Sequence, residues 1–292
     1  METWFLLSVI SLFFAGFHAF LQKVGAARGY NSSLLNGYSA GISALIGFTF
    51  AGFYEGLGEF SGLLVFVAFL SGFVFIIGTN LRMDSLKNID TTIFFPLHKF
   101  ISPLIALIVG LVVFREALGF SEWVGVILGI VVPLFLIHSS EKQRQKNLSK
   151  GLILMVGSAV MSAVAISINK EGANLFTSII LFASLANAFT AILGMLFYRF
   201  RRSGLKNGDV ELHYLDPKLL RLSILSGFIQ ILSFSSLIMA FSYGGALVIV
   251  YTINSLYILV PIVLSIILYK EHWNLRKAAA IVMSIAAVFL MK

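Results

Sequence analysis

The side chain with the most chemistry to offer is Lys99. It stands about nine residues into an apolar stretch, Thr91–Phe114. A helix rises about 1.5 Å per residue, which puts this lysine about 13 Å deep. That is near the middle of a hydrocarbon layer about 30 Å thick. Snorkelling to the interface is difficult from there, and insertion costs roughly 2.5–3.5 kcal/mol. A water-filled cavity, a hydrogen-bond network or an anionic ligand must offset that cost. Thr92, Pro96, Lys99 and Pro103 follow i, i+4, i+7, i+11 and share one helix face. The prolines deprive the carbonyls of Thr92 and Lys99 of their usual amide donors. Bare backbone polarity at that depth is tolerated only against protein or water. A proline kink with a lysine bonded to nearby amides is the plainer account. The chemical account is a cation that binds a carboxylate, a phosphate or a zwitterion.

Other polar groups recur at helical spacing. Tyr251, Asn254, Tyr257 and Pro261 form a stripe in a second apolar run, and asparagine and tyrosine can bond a polar solute. Ser11, His18 and Gln22 share a face near the start of the chain, and Ser158, Ser162 and Asn169 do so near its middle. His18 and His98 could carry protons near neutral pH. The competing role for all of these is adhesion between helices, worth about 0.6 kcal/mol per bond. Lys99, Asn254, Tyr251, Tyr257, His98, His18, Gln22 and Asn169 are therefore the candidate substrate-binding residues. Asn80, Asn187 and Gln230 are further polar positions without a decisive pattern.

The absences narrow the chemistry. All 13 carboxylates fall at the ends of apolar runs or between them, so none stands ready to hold a buried cation. There is no phosphate-cradling GxxxxGK[ST] run, no nucleophile elbow and no HExxH. The five histidines do not cluster as metal ligands, and there is no cysteine. The sequence implies no enzyme, no cofactor and no metal.

The elements that must position these residues follow from composition. Of 292 residues, 59% are hydrophobic and only 12% charged, and the mean hydropathy is +0.96. A soluble domain is about half apolar and about a quarter charged, so the apolar side chains must face lipid. That excludes a soluble enzyme, a disordered chain and a nucleic-acid-binding domain. Unbroken apolar runs exclude the alternating pattern of a membrane barrel. Ten spans are expected: Thr3–Val24, Ser33–Phe53, Gly62–Leu81, Thr91–Phe114 and Glu122–His138, then Gly151–Asn169, Phe176–Tyr198, Lys218–Ala240, Ala246–Leu268 and Leu275–Met291. The first span lacks the basic flank and cleavage site of a signal peptide and is read as retained.

The two sets of five repeat each other. At an offset of 147, Ser11 meets Ser158 and Gln22-Lys23 meets Asn169-Lys170. At 155, Ser71-Gly72-Phe73 meets Ser226-Gly227-Phe228, Phe114-Arg115-Glu116 meets Tyr269-Lys270-Glu271, and Lys99 meets Asn254. The difference fits the long Arg199–Pro217 loop. Shared order and offset indicate a duplication, with repeats at 1–140 and 150–292 around the polar SSEKQRQKNLSK break. Five is odd, so the halves must be inverted. The fold class is an all-α membrane protein of ten transmembrane helices in two inverted five-helix repeats. The formal charge of +8 then resolves into topology. Seventeen of 21 basic residues fall on one side, three on the other, and Lys99 within a span. Basic loops stay cytoplasmic, which predicts both termini outside a plasma membrane.

With ten spans, two repeats and these residues in view, the chain resembles the drug/metabolite transporter superfamily, and within it an EamA-type permease. The resemblance covers nearly the whole chain. Its most telling pieces are Phe114-Arg115-Glu116 and Tyr269-Lys270-Glu271, each after a proline-bearing span and before a span rich in Gly, Ala and Ser. The resemblance implies a ten-helix basket with a central cavity that exchanges access by rocking. It also implies a secondary carrier, often an exporter of amino acids or other small metabolites. Lys99 is not carried by a motif of the family. Pro261 lies ten residues before Glu271 while Pro103 lies thirteen before Glu116, so the two cavity walls need not match.

The expected function is thus secondary transport of a small polar metabolite, anionic or zwitterionic such as an amino acid, with protons as the candidate coupling ion. The same fold could instead export a drug or flip a lipid-linked group. A scaffold or sensor without transport is the third possibility. The partners expected are the solute and the bilayer, and no nucleic acid; the oligomeric state is left open.

Overall fold

The computed structural model describes residues 2–55, 60–136, 147–203, 216–269 and 274–292. Its helices are α1 (Thr3–Ala27), α2 (Ser32–Tyr54), α3 (Gly62–Leu86), α4 (Thr91–Val112), α5 (Phe120–Val131), α6 (Leu148–Leu175), α7 (Ile179–Ser203), α8 (Pro217–Ser242), α9 (Leu247–Ser255), α10 (Leu259–Tyr269) and α11 (Leu275–Leu290). A 3-10 turn, Val132–Leu136, prolongs α5, and another, Leu256–Ile258, joins α9 to α10. These make the ten spans. Eight are long and apolar enough to cross a membrane, and Phe120–Leu136 and Leu275–Leu290 are shorter.

Side-chain caps fix several helix starts. Asn31, Ser61, Asn147, Asp216 and Asn274 each accept a backbone N–H of the following first turn. The starts of α7 and α9 are held from elsewhere in the chain. Glu55 accepts from Ile180 N and Leu181 N at 2.9 and 3.0 Å. Glu116 accepts from Leu247 N and Val248 N at 2.6 and 3.1 Å. A carboxylate there also complements the positive end of the helix dipole.

The packing exchanges the two sets of helices. α1 packs on α8 as α6 packs on α3, while α2 lies on α7, α5 on α11 and α4 on α9. The hydrogen bonds repeat the exchange. Ser11 Oγ donates to the Ser233 carbonyl and Ser158 Oγ to the Gly78 carbonyl, both at 2.9 Å. Ser71 bonds Asn169 at 2.6 Å, and its mate Ser226 accepts from Gln22 at 3.4 Å. Close approach requires glycine at matched places. A Cβ on Gly72 would stand 2.9 Å from the Ala186 carbonyl, and one on Gly227 would stand 2.7 Å from that of Ser39.

α9 is the axis of the packing. Every residue from Leu247 to Ser255 is buried, and α9 joins the apolar core under α7 and α8 to that under α5 and α11. Outward faces stay apolar. Phe13, Leu45, Phe66, Ile153, Ile192 and Phe289 are all exposed, as lipid contact requires.

Three expectations need correction. The sequence reads Ala246–Leu268 as one helix, but the structure breaks it at Leu256–Ile258. Pro261 is the cause: it has no N–H for the Tyr257 carbonyl and its ring crowds that turn. Second, α3 runs on to Leu86, so Arg82 belongs to a helix and not to a loop. Third, α6 runs to Leu175 and encloses Lys170. Hydropathy marks only the apolar stretch, whereas a helix continues until its caps. The Lys270-Glu271 pair lies outside the described residues.

Candidate functional site

The polar residues of the interior fall into separate groups. The first gathers around Lys99. This lysine is only 8% exposed, and its Nζ lies 4.0 Å from the centroid of the Tyr257 ring. Both partners stand where proline loosens the backbone. Pro103 follows Lys99 by four residues and Pro261 follows Tyr257 by four, so neither carbonyl has its helical donor. Lys99 therefore meets a helix break at its cation–π contact, an arrangement stable in the membrane only inside protein or against water.

The neighbours of Lys99 are firmly held. His98 stacks on Phe94 with ring centroids 5.3 Å apart and shares a 3.2 Å bond with Ser158 Oγ. Ser102, one turn beyond Lys99, bonds the Tyr251 hydroxyl at 2.6 Å. Four predicted residues, Lys99, His98, Tyr251 and Tyr257, thus belong to one region of α4 and the α9–α10 break. Two residues of this region escape the sequence reading. One is Ser102. The other is Arg82 of α3, whose charge is an electrostatic neighbour of His98, Lys99, Tyr251 and Tyr257. The signal for it exists: no Gly or Pro follows Leu81 before Leu86, so nothing stops the helix short of Arg82.

The other predicted residues bond side chains of their own or of neighbouring helices. Asn254 donates to Ser11 Oγ at 2.9 Å. Gln22 lies 3.3 Å from His18 and reaches Ser226. Asn169 accepts from Ser71. These bonds tie α1 to α8 and α9, and α3 to α6.

A different use of charge appears at Glu116. Its carboxylate caps α9 and also pairs with Lys170. Arg115 makes the turn that aims it, with φ of 52°. Gly110 gives the room: a Cβ there would stand 2.4 Å from Val248 Cγ2 and 2.8 Å from Glu116 Oε2. Elsewhere, a groove of about 800 Å³ runs between α2 and α7, lined by Gly37, Gly41, Leu45, Ala191, Ile192 and Met195 among others.

Residues 2–137 match the EamA-like transporter family. Over that part, just under half of its length, the chain is similar to that family. No curated protein matches it in sequence. One crystal structure of a protein aligns with 99% of this chain and 98% of its own, at 15% identity and a TM-score of 0.73. That identity supports a common fold and nothing finer. A sodium-calcium exchanger, NCX_Mj, aligns over 98% of this chain and 96% of its own, but its TM-score is 0.21 at 14% identity. The long apolar helices make this a multi-pass membrane protein, and its first part is similar to a family of membrane transporters.

Proposed function

We propose that this EamA-like chain is a secondary transporter, a permease or exporter, for a small polar metabolite that is anionic or zwitterionic. One observation carries the reading. Lys99 is buried in a membrane span, and among the described residues it has no carboxylate partner. An unpaired buried charge is costly, and an intramembrane cation facing a helix break is a functional site by default. Lys99 binds the negative group, Tyr251 and Tyr257 shape the wall, and His98 orients the α4 side of it. Asn254, Gln22 and Asn169 keep the helices together where they must slide, and His18 lines the path beside Gln22.

The transport cycle is alternating access between two halves, 1–140 and 150–292, in the plasma membrane with both termini outside. The Glu116–Lys170 tie then closes the outer end, because it joins α6 to the start of α9 across the repeats. A proteoliposome screen of amino acids, organic acids and nucleosides, with and without a pH gradient, tests the whole reading. Uptake of an anion or zwitterion that Lys99→Met abolishes is the expected result. Undiminished uptake in Lys99→Met removes the role of this lysine.

The groove between α2 and α7 favours a second reading. Its lining is mostly apolar, and Leu45, Ile192 and Leu196 face outward. Such a surface suits a lipophilic solute leaving sideways into the bilayer. Replacing Gly41 with Leu would fill the groove. Lost export of a lipophilic dye with unchanged uptake of polar solutes would favour this reading over the first.

A further inference from the structure

Arg82 extends the site beyond Lys99. It lies in α3 one turn past Gly78, whose carbonyl accepts from Ser158. Ser158 is also bonded to His98, the chain neighbour of Lys99. Residues four apart share a helix face, so α3 turns Arg82 toward the Ser158–His98 contact, and its charge acts on both His98 and Lys99. The Arg82 Nε is buried and has no hydrogen-bond partner. Among the described residues, neither Arg82 nor Lys99 is paired with a carboxylate. Two like charges in one apolar region repel, and both lose hydration. The guanidinium fork matches two oxygens of one acid group, while the ammonium acts as a point charge.

We propose that Arg82 and Lys99 together form a two-cation site for a small organic dianion, either a dicarboxylate or a phosphomonoester. This deepens the reading of Lys99 as the substrate-binding lysine and rests on it. Two positive charges are balanced by two negative ones on a single solute. A zwitterion would bring a third cation into the same space. Arg82 lies closer to its helix end than Lys99 does, so a solute arriving from that end meets the fork first.

The test uses the full-length protein in proteoliposomes. Exchange of succinate and glycerol 3-phosphate is compared with that of acetate and glycine. The wild type is expected to exchange at least one dianion about tenfold faster than acetate or glycine, the scale of one further charge-assisted contact. Arg82→Gln should remove that preference, and Lys99→Met should abolish exchange altogether. An unchanged preference in Arg82→Gln, with exchange lost in Lys99→Met, overturns the two-cation site and leaves the Lys99 reading intact. If neither substitution alters exchange, both fail. Thermal stabilisation of the wild type supplies a readout that needs no variant to fold. Succinate or glycerol 3-phosphate should raise the melting temperature more than equal acetate, and equal shifts from all three count against the site.

Discussion

Among the described residues, two lysines are buried, Lys99 at 8% exposure and Lys170 at 9%. They resemble each other in type, in burial and in having an aromatic ring close by. Tyr257 lies 4.0 Å from Lys99, and Phe114 lies 4.8 Å from Lys170. The difference is one carboxylate. Lys170 pairs with Glu116, whose oxygens also accept the first two amides of α9. Lys99 faces a ring and a broken helix, with Arg82 as an electrostatic neighbour. The first lysine is neutralised by its own chain and serves the fold. The second has no carboxylate partner among the described residues, and the proposed function assigns that place to the solute. Burial alone does not mark a functional charge; what matters is whether its partner is covalently part of the protein.

That contrast can be broken from either side. The largest effect on stability is expected at Glu116. Glu116→Gln leaves Lys170 buried without its ion and weakens the cap of α9, which should cost about 3–5 kcal/mol. Equilibrium unfolding in mild detergent measures it, and a loss no larger than that of a surface substitution would deny the tie its structural role. Lys99→Met should behave in the opposite way. Removing an unpaired buried charge leaves the melting temperature level or raised, while transport disappears. A strongly destabilised Lys99→Met protein would make Lys99 a second structural lysine and erase the contrast.

Smaller effects sharpen it. Gly110→Ala forces a methyl against Val248 and the Glu116 carboxylate, a crowding expected to cost about 1–3 kcal/mol. Its transport should fall only as far as folded protein falls, which parallel assays of uptake and monodispersity will show. The smallest change is expected at Ser11, which ties α1 to Ser233 and Asn254. Ser11→Ala should cost about 0.6 kcal/mol, the average for a polar bond between membrane helices. A complete loss of uptake in that variant would move Asn254 from helix adhesion into the binding site.

Much of this was legible in the residues. The spacing of Ser11 with Ser158, and of Ser71 with Ser226, announced a duplication, and the structure carries those positions into matching hydrogen bonds. Lys99 stood out because a lysine at bilayer depth is costly wherever the helix turns. Arg82 did not, because hydropathy ends a span where polar residues begin, while α3 continues through them. The tyrosine stripe was read on an unbroken helix, and Pro261 breaks it between Asn254 and Tyr257. For Asn254, Gln22 and Asn169 the structure adds the serine that each one bonds. An amide side chain looks the same in a sequence whether it meets a solute or a serine of the next helix.

The sequence by itself determined the membrane setting and the order of the apolar spans, because hydropathy is a property of the chain order alone. Only the tertiary structure decided which charges are paired. Glu116 reaches Lys170 across 54 positions of sequence, and Arg82 approaches Lys99 from a different helix. Electrostatic energy depends on distance through space, and no spacing along the chain encodes that distance until the helices have packed.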